Sequence, residues 1–282
     1  MELKFNKGVK MERLPISRGF YPFNEDELVN KIKNMLNEVP NTNLNPKGII
    51  VPHAGYRFSG KTAAYAYKTL ENKEIDNAVI LGVNHFNIGE RASLSTRTWR
   101  TPLGKIKVNS KISEKILKNE LIKKDESSHE KEHSIEVQLP FLKYLNPDIE
   151  IAPISLSGDL NFDEINRISE TLKDIDYDKN ILIASSDLLH IGNQFNLTPN
   201  EDNLNYLNRE EEKFIDKIKK MDTEEIIKIG RDTTICGYIP IAIAIEVLKD
   251  QINEVKILDR SNSYEITGDK SNIVGYVSVA LI

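Results

Sequence analysis

Gly48-Ile-Ile-Val-Pro-His-Ala-Gly-Tyr-Arg-Phe-Ser-Gly60 sets the reading of the whole chain. Ile49, Ile50 and Val51 form a β-branched apolar run of the kind that is buried on both faces of a sheet. Pro52 ends the ladder, His53 brings an ionisable imidazole, and Gly55 frees the backbone to turn. Ser59 then opens a helical pattern, with Ala63, Ala64, Ala66, Tyr67 and Leu70 at helix-compatible spacings. A strand that stops in a polar cluster and feeds a helix is how open α/β sheets place ligands, outside the carboxyl ends of their strands. Taken alone, a histidine at such a turn is more often structural than functional.

The same grammar recurs twice. Ala78-Val-Ile-Leu-Gly-Val83 reads as a second buried strand and ends in Asn84-His85. Asn180-Ile-Leu-Ile-Ala184 is a third, and Ser185-Ser-Asp-Leu-Leu-His190 follows it with a carboxylate and an imidazole. Around these runs the chain alternates. Asn24 and Glu27 start a helix through Leu28, Ile32, Met35 and Leu36. Residues 91–109 read as a hairpin-like excursion turning at Thr101-Pro-Leu-Gly104. A short amphipathic helix is expected over 111–121. Ile135, Leu139, Leu142 and Leu145 share a helical face with a kink at Pro140. A strand over 149–156, helices over 162–175, 204–221 and 240–248 with another short one capped by Thr223, and strands over 255–258 and 273–281 complete the pattern. With no internal repeat, linker or composition break, the prediction is one α/β domain over residues 1–282: a central mixed β-sheet flanked by helices.

Composition narrows the function classes. The chain has 282 residues, 39% of them hydrophobic and 29% charged, as in ordinary globular proteins. A net charge of −5 without a Lys/Arg block argues against nucleic acid. No apolar run approaches the roughly 20 residues of a membrane span. The N-terminal stretch Met-Glu-Leu-Lys-Phe-Asn-Lys lacks the apolar core of a secretory signal. One cysteine, Cys236, allows no intrachain disulfide. Together these predict a cytoplasmic protein.

Two motifs compete for a metal. His129-Glu-Lys-Glu-His133 matches the H-E-x-x-H pattern of zinc proteases. Its flanking charges, Asp125, Lys131 and Glu132, predict instead a solvated loop running into a helix. The second candidate is dispersed. His53, His85, Asp187 and His190 all follow the carboxyl ends of predicted strands, and Cys236 stands just ahead of a helix start. Imidazoles and a thiolate form a borderline-soft set that suits iron, copper or zinc. His133, at the start of its own segment, falls within reach of the same edge. The helix start beside Cys236 is expected to favour its thiolate, and Asp187 to orient His190 as a charged partner.

Pro52-His-Ala-Gly-Tyr-Arg-Phe-Ser-Gly60, Gly82-Val-Asn-His85, Thr101-Pro-Leu-Gly104, Glu132-His-Ser-Ile-Glu136, Ser185-Ser-Asp-Leu-Leu-His190 and Thr234-Ile-Cys-Gly237 together resemble the Memo family. Its prokaryotic members are called AmmeMemoRadiSam system protein B. The matches run from Gly19 to Tyr276. The resemblance implies an α/β domain related to the class III, LigB-type extradiol dioxygenases, which use a non-haem iron. It implies that His53, His85 and Cys236 are metal ligands for iron or copper, with zinc an alternative. Asp187, His190 and His133 would line the same cleft in catalytic roles. Asn84, Leu189 and Tyr238 depart from the family pattern, and none is an implied ligand. Family association further implies AMMECR-type and radical SAM proteins as partners.

Three functions stay open at this point. One is a metal-binding redox enzyme on an unidentified substrate. A second is a dioxygenase proper, which would need a carboxylate where this chain has Cys236. The third is a non-catalytic binding module for a phosphopeptide or for a metal being buffered; the partner expected in any of the three is an unknown small-molecule or peptide ligand.

Overall fold

The three apolar runs are the middle of the molecule. In the computed structural model, which describes residues 12–282, they form β1 (Gly48–Val51), β2 (Asn77–Val83) and β5 (Asn180–Ser185). The stretch read for a signal lies outside the described residues. Further members of the sheet are β3 (Gly104–Val108), β4 (Glu150–Leu156), β6 (Val255–Asn262) and β7 (Ile273–Leu281). The order is β3-β4-β2-β5-β1-β7-β6 within a twelve-stranded sheet. From β3 to β1 neighbours run parallel, and β7 turns the sheet antiparallel against both β1 and β6. The sheet is therefore mixed, as expected. Every residue of β1 and β5 is buried. That is why both sequences are continuous apolar runs rather than alternating ones.

Helices cover both faces and split the core in two. On one face α1 (Glu25–Glu38), α2 (Gly60–Lys68) and α3 (Leu139–Leu145) pack Leu28, Tyr67 and Phe141 against Ile49 and Ile80. On the other, α4 (Phe162–Lys173), α5 (Asn203–Lys219), α6 (Thr223–Arg231) and α7 (Tyr238–Leu248) pack Ile168, Phe214, Ile226 and Ile243 against Ile50 and Val79. The cap read at Asn24 is present, its side chain accepting from Glu27 N–H at 3.0 Å. α7 is buried along its whole length, which explains a helix sequence with scarcely a polar face.

Three expectations change. Pro140 sits in the first turn of α3 and begins the helix instead of kinking it. Residues 92–94 do not belong to a free excursion: they pair antiparallel with β4 inside the sheet, and only 98–108 form the hairpin. The polar segment before His133 is not a solvated loop. His129 and Glu132 are both fully buried. Among the described residues no helix is long and apolar enough to cross a membrane.

Candidate metal centre

Register brings the three strand ends level. Val51 of β1 lies opposite Ser185 of β5, and Leu81 of β2 lies opposite Ala184 of the same strand. His53, His85 and residues 186–190 therefore leave the sheet along one edge. Cys236 reaches that edge from the start of α7. Gly237 N–H donates to Ser186 Oγ at 3.1 Å. A Cβ on Gly237 would stand 2.6 Å from the Ser185 carbonyl oxygen, so only glycine allows this approach.

Four of the chain's five histidines meet here. The ligand atoms of His53, His85 and Cys236 lie within 4.8 Å of one another. Cys236 Sγ is 3.2 Å from His53 Nε2. His133 stacks on His85 at 4.9 Å and meets His53 edge-on at 5.3 Å. His133, Asp187 and His190 line one cavity of about 470 Å³. His85 and Cys236 line another of about 590 Å³, and the two share no residue. All six residues singled out from the sequence are thus at one place.

Hydrogen bonds fix which nitrogen of each ring is free. Ser185 Oγ donates its one proton to the Ser134 carbonyl at 2.7 Å, so it can only accept from His53 Nδ1 at 3.0 Å. His85 Nδ1 meets the carboxylate of Glu132 at 2.9 Å, and His190 Nδ1 meets the Thr234 carbonyl at 3.0 Å. Each partner is an acceptor, so each Nδ1 carries hydrogen and Nε2 is the nitrogen left for a metal, bare in neutral His53 and His190 and freed by loss of a proton in His85. This is how metal-ligating histidines are held, with the rear nitrogen given to a carboxylate, hydroxyl or carbonyl. Two imidazole lone pairs beside one sulfur fit iron, copper or zinc better than magnesium or calcium.

Glu132 is the residue that sequence reading missed. Besides His85 Nδ1, its carboxylate accepts from the backbone N–H groups of His85, His133 and Ser134 at 2.8–2.9 Å. Those bonds occupy it as an anchor and leave it poorly placed to serve as a ligand. Behind it lies a second buried acid. Glu136 pairs with the Arg13 guanidinium and accepts from Tyr21 Oη at 2.6 Å and Ser17 N–H at 2.9 Å. Arg13 also donates to the carbonyls of His129 and Glu132, at 3.2 and 2.6 Å. Its guanidinium lies 4.3 Å over Trp99. The segment carrying Glu132 and His133 is thereby strapped down by the N-terminal part of the chain. His129 belongs to this strap: it points at Ser93 and the edge of Trp99, and it takes no part in the His53–His85–Cys236 group. The zinc-protease pattern does not form, because residues 130–135 contain no helix to align its two histidines.

Burial sets most of the charges. It holds His53 well below its ordinary pKa, with His85 and His133 adding like-charge repulsion. Burial likewise lowers His133 and His190 to about 4. His85 is the exception. Burial opposes its charge, but hydrogen bonds to Cys236 and Glu132 overcome this and raise it to about 10. Glu132 shows the counterpart: burial would raise it, while His85 and neighbouring N–H groups lower it to about 2. Burial pushes the Cys236 thiol up against the pull of His85. The helix start read as favouring a thiolate is thus opposed by desolvation.

Asp187 also differs from expectation. Its Oδ1 accepts from the N–H groups of His53 and Ala54 at 2.8 and 3.2 Å, so it orients the backbone of His53. His190 is oriented by Thr234 instead. Burial raises Asp187 to about 6, although those two N–H groups pull it down.

A family model described as Memo-like protein matches residues 15–280. The chain belongs to the Memo-like family. It is 35% identical over 275 residues to a MEMO1 family protein of Thermoplasma volcanium, covering 95% of this chain and 98% of that one. Identity to a MEMO1 family protein of Aquifex aeolicus is 35% over 273 residues, covering 93% and 96%. A MEMO1 family protein of Methanococcus vannielii is 38% identical over 244 residues, 82% of each chain. Among solved structures, that of an uncharacterized protein from Escherichia coli K12 superposes with a TM-score of 0.51. It covers 83% of this chain and 99% of that one at 10% identity, a likeness of fold alone. The Memo resemblance read from the sequence and the α/β architecture both stand.

Proposed function

We propose that this Memo-like protein holds a first-row transition metal through His53, His85 and Cys236 and acts on a small molecule in the adjoining cleft. The observation that carries the proposal is the orientation of the rings. Ser185 and Glu132 occupy the rear nitrogens of His53 and His85, leaving His53 Nε2 facing Cys236 Sγ at 3.2 Å. Bound iron or copper would supply electron transfer or Lewis acidity there, and zinc only the latter. The chain's own residues would do the rest. His190 lines the cleft with its Nε2 lone pair free and serves as proton acceptor. His133 is a second neutral imidazole on the same wall, and Asp187 fixes His53 from behind.

A redox enzyme is favoured over a dioxygenase proper by the donor set. The dioxygenase triad closes with a carboxylate, whereas Glu132 is taken up by His85 and three backbone N–H groups. A cytosolic setting suits the single reduced cysteine. AMMECR-type and radical SAM proteins are proposed partners by family association, testable by co-purification.

The test is elemental analysis of protein purified without oxygen. We expect near-stoichiometric iron, copper or zinc in the wild type and its loss from His53→Ala, His85→Ala and Cys236→Ser. His190→Ala should keep the metal and lose whatever reaction is found. Stoichiometric metal in both histidine ligand variants would overturn the proposal.

A further inference from the structure

The cavity lined by His133, Asp187 and His190 has a composition that selects its occupant. Phe20, Phe58, Phe195 and Tyr276 supply aromatic surface, and Asp187 and Asp269 supply carboxylates. No lysine or arginine lines it among the described residues. Arg57 lies over the Phe58 ring at 5.7 Å but is not part of the wall. About 470 Å³ is the size of a pocket for a small organic molecule.

Asp187 is the deciding side chain. It is only 4% exposed, and Oδ1 takes the two backbone N–H groups already described. Oδ2 accepts no hydrogen bond among the described residues; its nearest basic atom is His53 Nε2, 4.0 Å away. That oxygen keeps access to the cavity, where a ligand N–H can donate to it. Asp269, whose Oδ1 accepts from Ser271 N–H and Oγ at 2.7 and 2.6 Å, is the second carboxylate on the wall. Aromatic faces attract cations and repel anions, and two carboxylates do the same at longer range.

We propose that this cleft takes a small organic molecule with an apolar, ring-sized body and a positively charged amine, and rejects anions of the same shape. The inference rests on the proposed metal centre only in naming this molecule as its substrate class; the recognition itself is a property of the cleft. It also separates this cleft from a phosphopeptide site, whose ligand would bring negative charge to a wall with no cation.

Three probes of one shape decide it: 2-phenylethylammonium, neutral 2-phenylethanol and 3-phenylpropanoate, titrated calorimetrically into the purified protein at pH 7.5. Metal content is measured on the same samples. The ammonium should bind at least about tenfold more tightly than the alcohol, with the carboxylate weakest. Raising the salt concentration should narrow the difference. Asp269→Asn, a change at an exposed position, should reduce the preference for the amine, and Asp187→Asn should reduce it further. Gln194→Trp, at an exposed wall position, should block all three probes. Equal or tighter binding of the carboxylate overturns the inference, as does an amine preference unchanged in both aspartate variants. Metal-loaded protein without amine preference sinks this inference alone. Amine preference in protein that never holds metal sinks the metal reading alone.

Discussion

Glu132 and Cys236 show what single residues do that their neighbours in sequence do not announce. Glu132 holds His85 by its rear nitrogen, and three backbone N–H groups hold Glu132. Glu132→Gln keeps the shape and removes the charge, so metal should bind about 10–100-fold more weakly. Competition with a chelator of known affinity measures this, and an unchanged constant would mean that His85 needs no anchor. At Cys236, burial pushes the thiol up. Metal-free protein should therefore react with iodoacetamide slowly at pH 7 and faster as pH rises, with bound metal giving full protection. Fast labelling at pH 7 would restore the thiolate expected from the helix start. His53, His85 and His190 were legible because each follows an apolar run that could only be a strand. Glu132 was not, because exposed Glu130 and Lys131 precede it and composition cannot tell a buried acid from a solvated one.

At the scale of elements, the centre depends on close crossings. β2 passes under residues 134–135 at Gly82, where a Cβ would lie 2.4 Å from Ile135 Cγ1 and 2.7 Å from Ser134 Oγ. Gly82→Ala must push that segment outward and carry Glu132 and His133 with it. A loss of about 1–3 kcal/mol is expected by urea unfolding, with weaker metal binding. Full stability and unchanged metal affinity would show that the segment can move without consequence. The Arg13–Glu136 strap is a second such device. Arg13→Met leaves Glu136 buried without its cation, which typically costs about 3–5 kcal/mol. The strands and the covering helices were readable because burial on both faces gives continuous apolar runs. The strap was not, since its partners lie more than a hundred positions apart.

Across the whole molecule, four histidines (His53, His129, His133 and His190) are held below their ordinary pKa, chiefly by burial. Unfolded chains take up protons on these rings below about 6.5, where the fold does not. Their contribution is complete above that pH and is lost as pH falls toward about 4. Asp187 and Glu211, raised by burial to about 6 and about 7, act in the opposite sense. Their contribution is present below the ordinary carboxylate range and is lost as pH rises through 6–7. Four groups against three, His85 acting in the same sense as Asp187 and Glu211, predict that the melting temperature of metal-free protein falls between pH 6.5 and 4.5; a flat or rising profile would contradict this balance. The central claim concerns the donor set, and X-ray absorption at the metal edge of protein purified without oxygen tests it most directly. The account predicts one sulfur neighbour at about 2.3 Å together with nitrogen neighbours at about 2.0–2.1 Å if the metal is zinc, and the same two shells for iron or copper. It also predicts loss of the sulfur shell in Cys236→Ser. A metal with oxygen neighbours alone, or a sulfur shell that survives in that variant, would contradict it.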